Sequence, residues 1–326
     1  MARRFSEDEL IATLFAPLAG AAALGLRDDA ALLPASKNPT VATTDALVAG
    51  VHFFEDDPPG LIAKKALRVN LSDLAAKGAE PVGFLLAIAM PPDWTNDWLA
   101  AFAAGLGEDA LAYRCPLLGG DTVSTPGPLT LSVTALGEAP EGRFIARATG
   151  QAGDAVFVSG TIGDAALGLR LRRDAALARR LSAPARDHLL ERYLLPRPRL
   201  ALAAALRVHV TAAMDVSDGL VGDLAKLARA SKLGAKVTLA SVPFSDAARE
   251  AIALDPRLLD VTLTGGDDYE VLCCVGSGGA QFAAAARAAS APCARIGELI
   301  AGDRETVFLD ELGKPRNFNR LSFSHF

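Results

Sequence analysis

Several common enzyme signatures are absent from this 326-residue chain. It has no G-x-x-x-x-G-K-[ST] phosphate loop, no H-E-x-x-H motif, no G-x-S-x-G motif, and no G-x-G-x-x-G directly after a predicted strand. These absences argue against the enzyme classes that depend on those motifs. Any nucleotide chemistry must therefore use a different arrangement of residues.

Cysteine is also scarce, with four in the chain and no C-x-x-C spacing. Cys273 and Cys274 are adjacent and lie inside the apolar run 271–275. Because unpaired cysteine behaves as a small apolar residue, we expect buried, reduced thiols and no disulfide framework.

An excess of positive charge and a long apolar run are both missing. The chain has 33 basic and 38 acidic residues, and its net charge of −5 has the wrong sign for gripping nucleic acid by its phosphates. The longest apolar run, 82–90, is about half of the ~20 residues that a membrane span requires, so it predicts a buried strand. Residues 1–9 lack the apolar stretch of a secretory signal. We expect a cytoplasmic protein with neither a nucleic-acid nor a membrane partner.

The length of the chain exceeds the usual size of one hydrophobic core and predicts two domains. A polar, turn-rich stretch over 137–153 places the boundary, giving domains 1–148 and 149–326. The first mixes strands and helices in an α+β layer, and the second alternates them in an α/β pattern. The expected fold class is therefore α/β (α+β) with two domains.

Apolar periodicity predicts the individual elements. The predicted helices are 58–77, 94–113 and 218–231, and the predicted strands are 40–44, 82–90, 129–136, 155–159, 208–214 and 235–239. In helix 94–113 the apolar face is formed by Trp98, Phe102, Leu106 and Leu111. Gly119-Gly120-Asp121-Thr122 is predicted as a turn, and helix 218–231 is expected to stop at Gly234.

Six aspartates recur beside small or hydroxyl residues where predicted elements begin or end. They are Asp29, Asp45, Asp73, Asp121, Asp215 and Asp218. Any one alone is explained by a helix cap or an Asx turn, and Asp218 is a natural cap for the helix that follows it. Capping does not explain Asp45 and Asp121, which each follow a β-like run, where binding loops are commonly built.

If these acids converge, they require cations. Two carboxylates ~4 Å apart repel by ~4 kcal/mol at an effective dielectric near 20. Oxygen ligands without His or Cys favour Mg²⁺, which often bridges carboxylates and substrate phosphates. The pattern predicts a magnesium–polyphosphate site without a phosphate-loop lysine, to which Arg147 could add fixed positive charge.

At these same residues the chain resembles the thiamine-monophosphate kinase family, within the wider group of aminoimidazole ribonucleotide synthetase-like ATP enzymes. The resemblance covers nearly the whole length. Its segments, in order, are Asp28-Asp-Ala-Ala-Leu-Leu, Thr43-Thr-Asp-Ala-Leu-Val-Ala-Gly-Val-His-Phe, Asn70-Leu-Ser-Asp-Leu-Ala-Ala-Lys-Gly-Ala, Leu118-Gly-Gly-Asp-Thr, Asp215-Val-Ser-Asp-Gly-Leu and Gly265-Gly-Asp-Asp-Tyr-Glu.

The resemblance implies transfer of the ATP γ-phosphoryl group to thiamine monophosphate, with several Mg²⁺ ions, in a homodimer whose amino-terminal sheets pack together. By position, the implied magnesium ligands are Asp29, Thr43, Thr44, Asp45, Asp73, Asp121, Asp215 and Asp218. The implied nucleotide contacts are Tyr113, Gly120, Asp121, Arg147 and Ser217. The implied substrate contacts are His52, Asp267 and Phe323.

Some of these assignments have alternatives. Asp267 stands where the family pattern generally has Glu, so its carboxylate is one methylene shorter. Phe323 is chosen over Phe318 as the ring that stacks on the substrate, while simple packing explains a lone aromatic equally well. His52 could instead be a partner of a loop carbonyl, and the turn Gly160–Gly163 could offer N–H groups to phosphate or be only a tight turn.

The acceptor in this reaction would be a phosphate oxygen, which is largely ionised at pH 7 because the second pKa of a phosphate monoester is about 6. No general base is therefore expected, and we predict direct in-line transfer without a phosphoenzyme. The enzymatic alternatives are aminoimidazole ribonucleotide synthetase, selenophosphate synthetase and the hydrogenase-maturation dehydratase. Selenophosphate synthetase would want a reactive Cys near its amino terminus, whereas the first Cys here is Cys115, and the dehydratase would end in a reactive Cys, whereas this chain ends in Ser324-His-Phe. A nucleotide sensor or magnesium-binding scaffold is the alternative without catalysis.

Overall fold

The computed structural model describes residues 3–302 and 305–323, so the terminal Ser324, His325 and Phe326 lie outside it. The chain forms two compact units. The first comprises residues 1–74 and 79–142, and the second comprises 75–78 and 143–326. The domain boundary between residues 148 and 149 stays a prediction.

The first unit contains one four-stranded sheet and two long helices. Its elements are α1 (Glu7–Leu10), β1 (Thr40–Val48), α2 (Pro59–Ala76), β2 (Glu80–Met90), α3 (Asn96–Ala112), β3 (Leu117–Ser124) and β4 (Thr130–Glu138). The strand order is β1-β4-β2-β3. β4 is antiparallel to both of its neighbours, whereas β3 runs parallel to β2.

Helix α3 shows how far the apolar periodicity holds. Thr95 caps it by accepting the N–H of Trp98 at 3.1 Å. Phe102 and Leu106 are fully buried, as predicted, but Leu111 is 82% exposed. Five residues separate Leu111 from Leu106, about 140° around a helix with 3.6 residues per turn. The prediction that Leu111 belongs to the apolar face is therefore wrong.

The second unit is built around a six-stranded sheet with helices. Its strands are β5 (Ala155–Ser159), β6 (Val210–Val216), β7 (Gly234–Thr238), β8 (Glu270–Val275), β9 (Cys293–Ile300) and β10 (Val307–Leu309). Its helices are α4 (Asp164–Arg173), α5 (Ala175–Ala178), α6 (Ala183–Leu194), α7 (Ala203–His209), α8 (Leu220–Ala230), α9 (Asp246–Leu254), α10 (Leu258–Thr264) and α11 (Gly279–Ala288). The strand order is β10-β7-β9-β5-β8-β6.

Both faces of this larger sheet are covered. Along β5, Val156 and Val158 enter one apolar core, whereas Ala155 and Phe157 enter another. Every residue of β5 and β8 is buried. A strand that is buried on both faces reads as a continuous apolar run, which explains the uninterrupted sequence of β8 from Val271 to Val275.

Helix α8 ends earlier than the sequence suggested. Lys232 has φ +58° and donates to the Arg229 carbonyl, while Leu233 donates to the Ala228 carbonyl, both at 2.9 Å. These two bonds form a Schellman motif, which normally places glycine in the left-handed position. The prediction that the helix stops at Gly234 is wrong, because Lys232 takes that position and Gly234 begins β7.

The cysteines follow the sequence prediction. Cys115, Cys273 and Cys274 are buried, Cys293 is partly buried, and all four are unpaired. Burial raises the pKa of the Cys115 and Cys293 thiols to about 12. Across residues 3–302 and 305–323, no helix is both long and apolar enough to cross a membrane.

Candidate functional site

The Gly119-Gly120-Asp121-Thr122 segment is part of strand β3 and not a turn. It pairs in parallel with β2, so that Gly120 lies opposite Leu86 and Asp121 opposite Ala87. A Cβ atom on Gly120 would overlap the Leu86 carbonyl oxygen. Glycine is required here by the close approach of two backbones, which explains why a glycine-rich segment continues a strand.

A cavity of about 720 Å³ lies beside this strand, within the first unit. It brings together three of the predicted site residues, since Asp29, Gly120 and Asp121 all line it. Asp28 and Asp29 occupy the loop before β1, and the Asp28 carboxylate accepts the N–H of Asp29 at 2.8 Å. Both Asp29 and Asp121 are exposed, so their carboxylates are accessible to a ligand.

Asp45 lies on the other face of the same sheet. Across the strands, Asp45 lies beside Val133, a buried residue. Asp121 lies in the next row of paired residues, which also contains Ala87 and Ser132. Neighbouring rows of a pleated sheet point to opposite faces. The expectation that Asp45 and Asp121 follow their strands in loops is wrong, because both lie inside strands.

The face that carries Asp45 also carries Thr43, two residues earlier in β1. The Thr43 hydroxyl donates to a carboxylate oxygen of Asp73, which lies on helix α2. Thr44 points to the other face, where its hydroxyl donates to the Val133 carbonyl and accepts from Thr134, both at 3.1 Å. The predicted metal ligands of this unit therefore lie on both sides of one sheet.

Two further predicted residues of the first unit lie outside the sheet. Nδ1 of His52 accepts the N–H of Val48 at 3.0 Å, and its carbonyl accepts from Lys65 at 2.9 Å. Tyr113 ends helix α3, and the Arg68 guanidinium lies 5.6 Å from its ring centroid. Both side chains are thus held in place, and their contacts with nucleotide and substrate stay predictions.

In the second unit, the end of β6 carries the remaining aspartates. Asp215 is buried within β6, and Ser217 and Asp218 form the loop before α8. Asp218 does not cap α8, because the capping position is Gly219 and no side chain bonds to the helix there. Instead, a carboxylate oxygen of Asp218 accepts from Lys226 at 2.5 Å. The capping prediction for Asp218 is therefore wrong.

Asp267 and Phe323 meet this same loop through the backbone. Asp267 has φ +74° and donates its N–H to the Ser217 carbonyl at 2.8 Å. Phe323 donates its N–H to the Asp218 carbonyl at 3.0 Å, and the Arg320 guanidinium lies 5.4 Å from its ring centroid. Four predicted site residues thus gather at one loop of the second unit.

The other candidates of this unit lie apart from the loop. Phe318 packs edge-on against buried Phe308 with ring centroids 5.5 Å apart, which assigns it a packing contact. Arg147 is exposed, and its carbonyl accepts from the Ser231 hydroxyl at 3.2 Å.

The turn Gly160–Gly163 already bonds to a carboxyl group of the chain. Fully buried Asp268 accepts the N–H of Gly163 at 2.7 Å at the start of helix α4. Burial raises the pKa of Asp268 well above its usual value, although the Gly163 bond opposes the shift. The N–H groups of Gly160 and Ile162 bond to the Pro292 and Pro243 carbonyls, at 3.2 and 2.9 Å. Three N–H groups considered for phosphate are therefore used within the chain, which supports the alternative of a tight turn.

Sequence reasoning missed a second buried carboxylate beside the loop. Asp223, on α8, accepts the N–H groups of Ser217 at 3.0 Å and Asp218 at 2.8 Å. Burial raises the pKa of Asp223, while its bonds to Lys226 and to the backbone oppose the shift. For Lys226, burial lowers the pKa, but hydrogen bonds to Asp218 and Asp223 outweigh this and hold it above its usual value. The sequence signal that could have identified Asp223 is its position five residues after Asp218, near the start of the helix.

Within the part of the chain that the structure describes, no group of three or more His, Cys, Asp or Glu side chains is close enough to hold a metal ion. The predicted ligands are distributed over both units: Asp29, Thr43, Thr44, Asp45, Asp73 and Asp121 belong to the first, and Asp215 and Asp218 belong to the second. Their roles in metal binding stay predictions.

Comparison with known proteins places this architecture in a family. The N-terminal domain of AIR synthase related proteins matches residues 27–139, and the C-terminal domain of the same family matches residues 151–310. A thiamine-monophosphate kinase of Caulobacter vibrioides is 41% identical over 98% of this chain and 91% of its own length.

Solved structures agree with this relationship. The crystal structure of thiamine-monophosphate kinase from Stenotrophomonas maltophilia K279a is 39% identical, with a TM-score of 0.80 over 89% of this chain and 91% of that one. A second structure, AaThiL complexed with AMPPCP and TMP, is 28% identical, with a TM-score of 0.76 over 92% and 91%. The chain belongs to the thiamine-monophosphate kinase family of AIR synthase related proteins.

Proposed function

We propose that this chain is a thiamine-monophosphate kinase, which transfers the γ-phosphoryl group of ATP to thiamine monophosphate and produces thiamine diphosphate. The observation that carries the proposal is the 41% identity to a thiamine-monophosphate kinase over 98% of the chain. The cavity lined by Asp29, Gly120 and Asp121 supports it, because these residues are the ones expected to meet metal and nucleotide.

The acceptor chemistry explains why no catalytic base is proposed. A phosphate monoester is largely ionised at pH 7, so its oxygen attacks without first losing a proton to the protein. The chain's residues then act by holding the two substrates in line and by excluding water, while a bound metal would supply neutralising charge. We propose His52, Asp267 and Phe323 as the substrate contacts, and Tyr113, Gly120, Asp121, Arg147 and Ser217 as the nucleotide contacts.

Magnesium fits the residues proposed to hold it. All eight proposed ligands offer carboxylate or hydroxyl oxygens, the donors that Mg²⁺ prefers, and Asp29 and Asp121 are exposed on a cavity wall. These ligands are Asp29, Thr43, Thr44, Asp45, Asp73, Asp121, Asp215 and Asp218. Bound magnesium would neutralise phosphate charge and align the reacting oxygens.

Purified protein with ATP, Mg²⁺ and thiamine monophosphate tests the proposal, with thiamine diphosphate followed by chromatography. We expect product that depends on all three additions. Inorganic phosphate release without thiamine diphosphate, or no product over a range of metal concentrations and pH values, would refute a kinase acting on this acceptor.

We also propose a cytoplasmic homodimer in which the open faces of two β1-β4-β2-β3 sheets pack together. On the face that carries Asp121, Leu85 of β2 and Val123 of β3 are 39% and 46% exposed, so neighbouring strands present apolar area that a second copy can cover. Sedimentation equilibrium tests the dimer, and Leu85→Lys should shift the chain toward the monomer.

A further inference from the structure

The loop between β6 and α8 is held by hydrogen bonds to one buried carboxylate, that of Asp223. Asp223 has no exposed surface, and a single oxygen of its carboxylate accepts two consecutive N–H groups, those of Ser217 and Asp218. Two backbone donors converging on one acceptor fix the path of the peptide between them. The orientation of the Asp218 side chain therefore depends on Asp223.

The same acid shares an ammonium group with Asp218. Lys226 donates to the other oxygen of Asp223 at 2.9 Å and to Asp218 at 2.5 Å. Lys226 and Asp218 are each about one-third exposed, whereas Asp223 is fully buried. The contact with Asp223 is thus internal, and the contact with Asp218 faces solvent.

The two contacts of Lys226 differ in whether a cation from solvent can compete for them. Two carboxylates and one ammonium leave one negative charge, and Asp223 cannot be reached by a solvent ion. Of these two acids, only Asp218 is within reach of a cation from solvent, and Lys226 already partly neutralises its carboxylate. Because like charges repel, the ammonium group and an incoming cation compete for the same oxygen atoms.

We propose that Asp223 is a positioning residue for the Ser217–Asp218 loop, and that Lys226 is an internal counter-ion which a divalent cation must displace from Asp218. This inference rests on the proposed function, in which Asp218 is a magnesium ligand. It assigns to Lys226 a role in setting the Mg²⁺ concentration that the protein requires.

Thermal melting of the full chain with a fixed concentration of the ATP analogue AMPPCP and increasing Mg²⁺ tests the proposal without turnover. The measured quantity is the Mg²⁺ concentration that gives half of the maximal stabilisation. Lys226→Met should lower this midpoint about threefold to tenfold, because a partly exposed ion pair that opposes binding is removed. Lys236→Met removes the same charge from an exposed position on β7 and should leave the midpoint unchanged within about twofold.

Asp223→Asn removes the charge of Asp223 and keeps the acceptor of the two loop N–H groups, whereas Asp223→Ala removes both. In Asp223→Asn the amide oxygen can still accept backbone N–H groups, but Lys226 then has only Asp218 as a charged partner, so the midpoint should rise. Lys226→Met in the Asp223→Asn background should lower it again. Asp223→Ala should raise the Mg²⁺ midpoint further than Asp223→Asn, and equal midpoints for these two variants would overturn the positioning role. A purely structural Asp223 would instead lower the melting temperature without moving the Mg²⁺ midpoint.

Equal midpoints for Lys226→Met and Lys236→Met would overturn the counter-ion role, and so would a higher midpoint for Lys226→Met. Absence of any Mg²⁺-dependent stabilisation in the wild-type chain would overturn the proposed function, and this inference with it. A response in the wild-type chain together with equal variant midpoints would overturn the inference alone.

Discussion

Replacement of Glu270 by Gln should destabilise the second unit strongly. Glu270 begins β8 with no exposed surface and accepts four hydrogen bonds. The Ser159 hydroxyl donates at 2.6 Å, Arg199 donates through Nε at 2.6 Å and through Nη2 at 2.5 Å, and Arg192 donates at 3.1 Å. The carboxylate thus joins two guanidinium groups, of which Arg192 is itself buried.

The expected magnitude follows from the unpaired charge that remains. Burial lowers the pKa of Arg192, which shows that its charge is costly without a partner, while Glu270 and Asp268 oppose the shift. Removing one partner of a buried ion pair commonly costs about 3–5 kcal/mol. With an m value of about 2–3 kcal/mol/M, Glu270→Gln should lower the urea midpoint by about 1–2 M.

Glu191→Gln is the matched control. Glu191 pairs with Arg197 at 2.8 Å, but both side chains are about half exposed, so the pair contributes at most about 1 kcal/mol. Unfolding is followed by circular dichroism at 222 nm. Tryptophan fluorescence follows the first unit separately, because Trp94 and Trp98 are the chain's two tryptophans and both lie there. A midpoint for Glu270→Gln no lower than that for Glu191→Gln would refute the reasoning.

Three other predictions concern the acids and thiols. Asp121→Asn should reduce turnover by about 10²-fold or more while the melting temperature stays within a few degrees. Asp121 is exposed and accepts the N–H of the neighbouring Thr122, a bond that an amide oxygen can replace. A large loss of stability would instead indicate a structural role. Burial raises the pKa of Asp164, but hydrogen bonds from His188, Ser245 and Thr161 outweigh this and hold it below its usual range. The ionised Asp164 therefore stabilises the fold at neutral pH, and this stability is lost as the pH falls through the lowered pKa. Urea midpoints at pH 7 and pH 3 should therefore differ less for Asp164→Asn than for the wild-type chain, and equal differences would contradict this. With a pKa of about 12 at Cys115 and Cys293, about one thiol in ten thousand is ionised at pH 8. Because the thiolate is the reactive form, a thiol-reactive dye should label the native chain far more slowly than the urea-unfolded chain. Equal labelling rates would show that the thiols are accessible.

The sequence predicts elements well where the determining pattern is local. Strand β5 has the predicted bounds, 155–159, and helix α2 lies within one residue of each end of the predicted 58–77. Both depend on apolar residues that are spaced within a few positions of one another. The two-domain α/β class follows from the order of these elements and from the length of the chain.

The sheet faces of the acids could not be predicted in the same way. Whether Asp45 and Asp121 share a face depends on the register between β1, β4, β2 and β3, and a shift of one residue reverses the answer. Register is set by contacts between distant parts of the chain. The prediction of a turn at the Gly-Gly-Asp segment was wrong for a related reason. Glycine is required at position 120 because of the backbone of Leu86, which lies in another strand.

At Asp218 a local rule failed because a lysine farther along the helix pairs with this carboxylate. The sequence Asp218-Gly219 before an apolar helical pattern is typical of an N-cap. In the structure Gly219 occupies the capping position, and the Asp218 carboxylate accepts from Lys226, two turns along the helix. Capping rules rank single residues and do not describe a lysine that binds the acid.

The carboxyl group of Asp268 at the start of α4 has a consequence for ligand selection. For a reaction in which both substrates and both products carry phosphate, every accessible helix N-terminus is a place where an anion could bind unproductively. The start of α4 is not such a place, because Gly163 is buried and its N–H bonds to Asp268. The second unit thereby keeps one of its positive helix ends out of competition for the very molecules that the enzyme must align elsewhere.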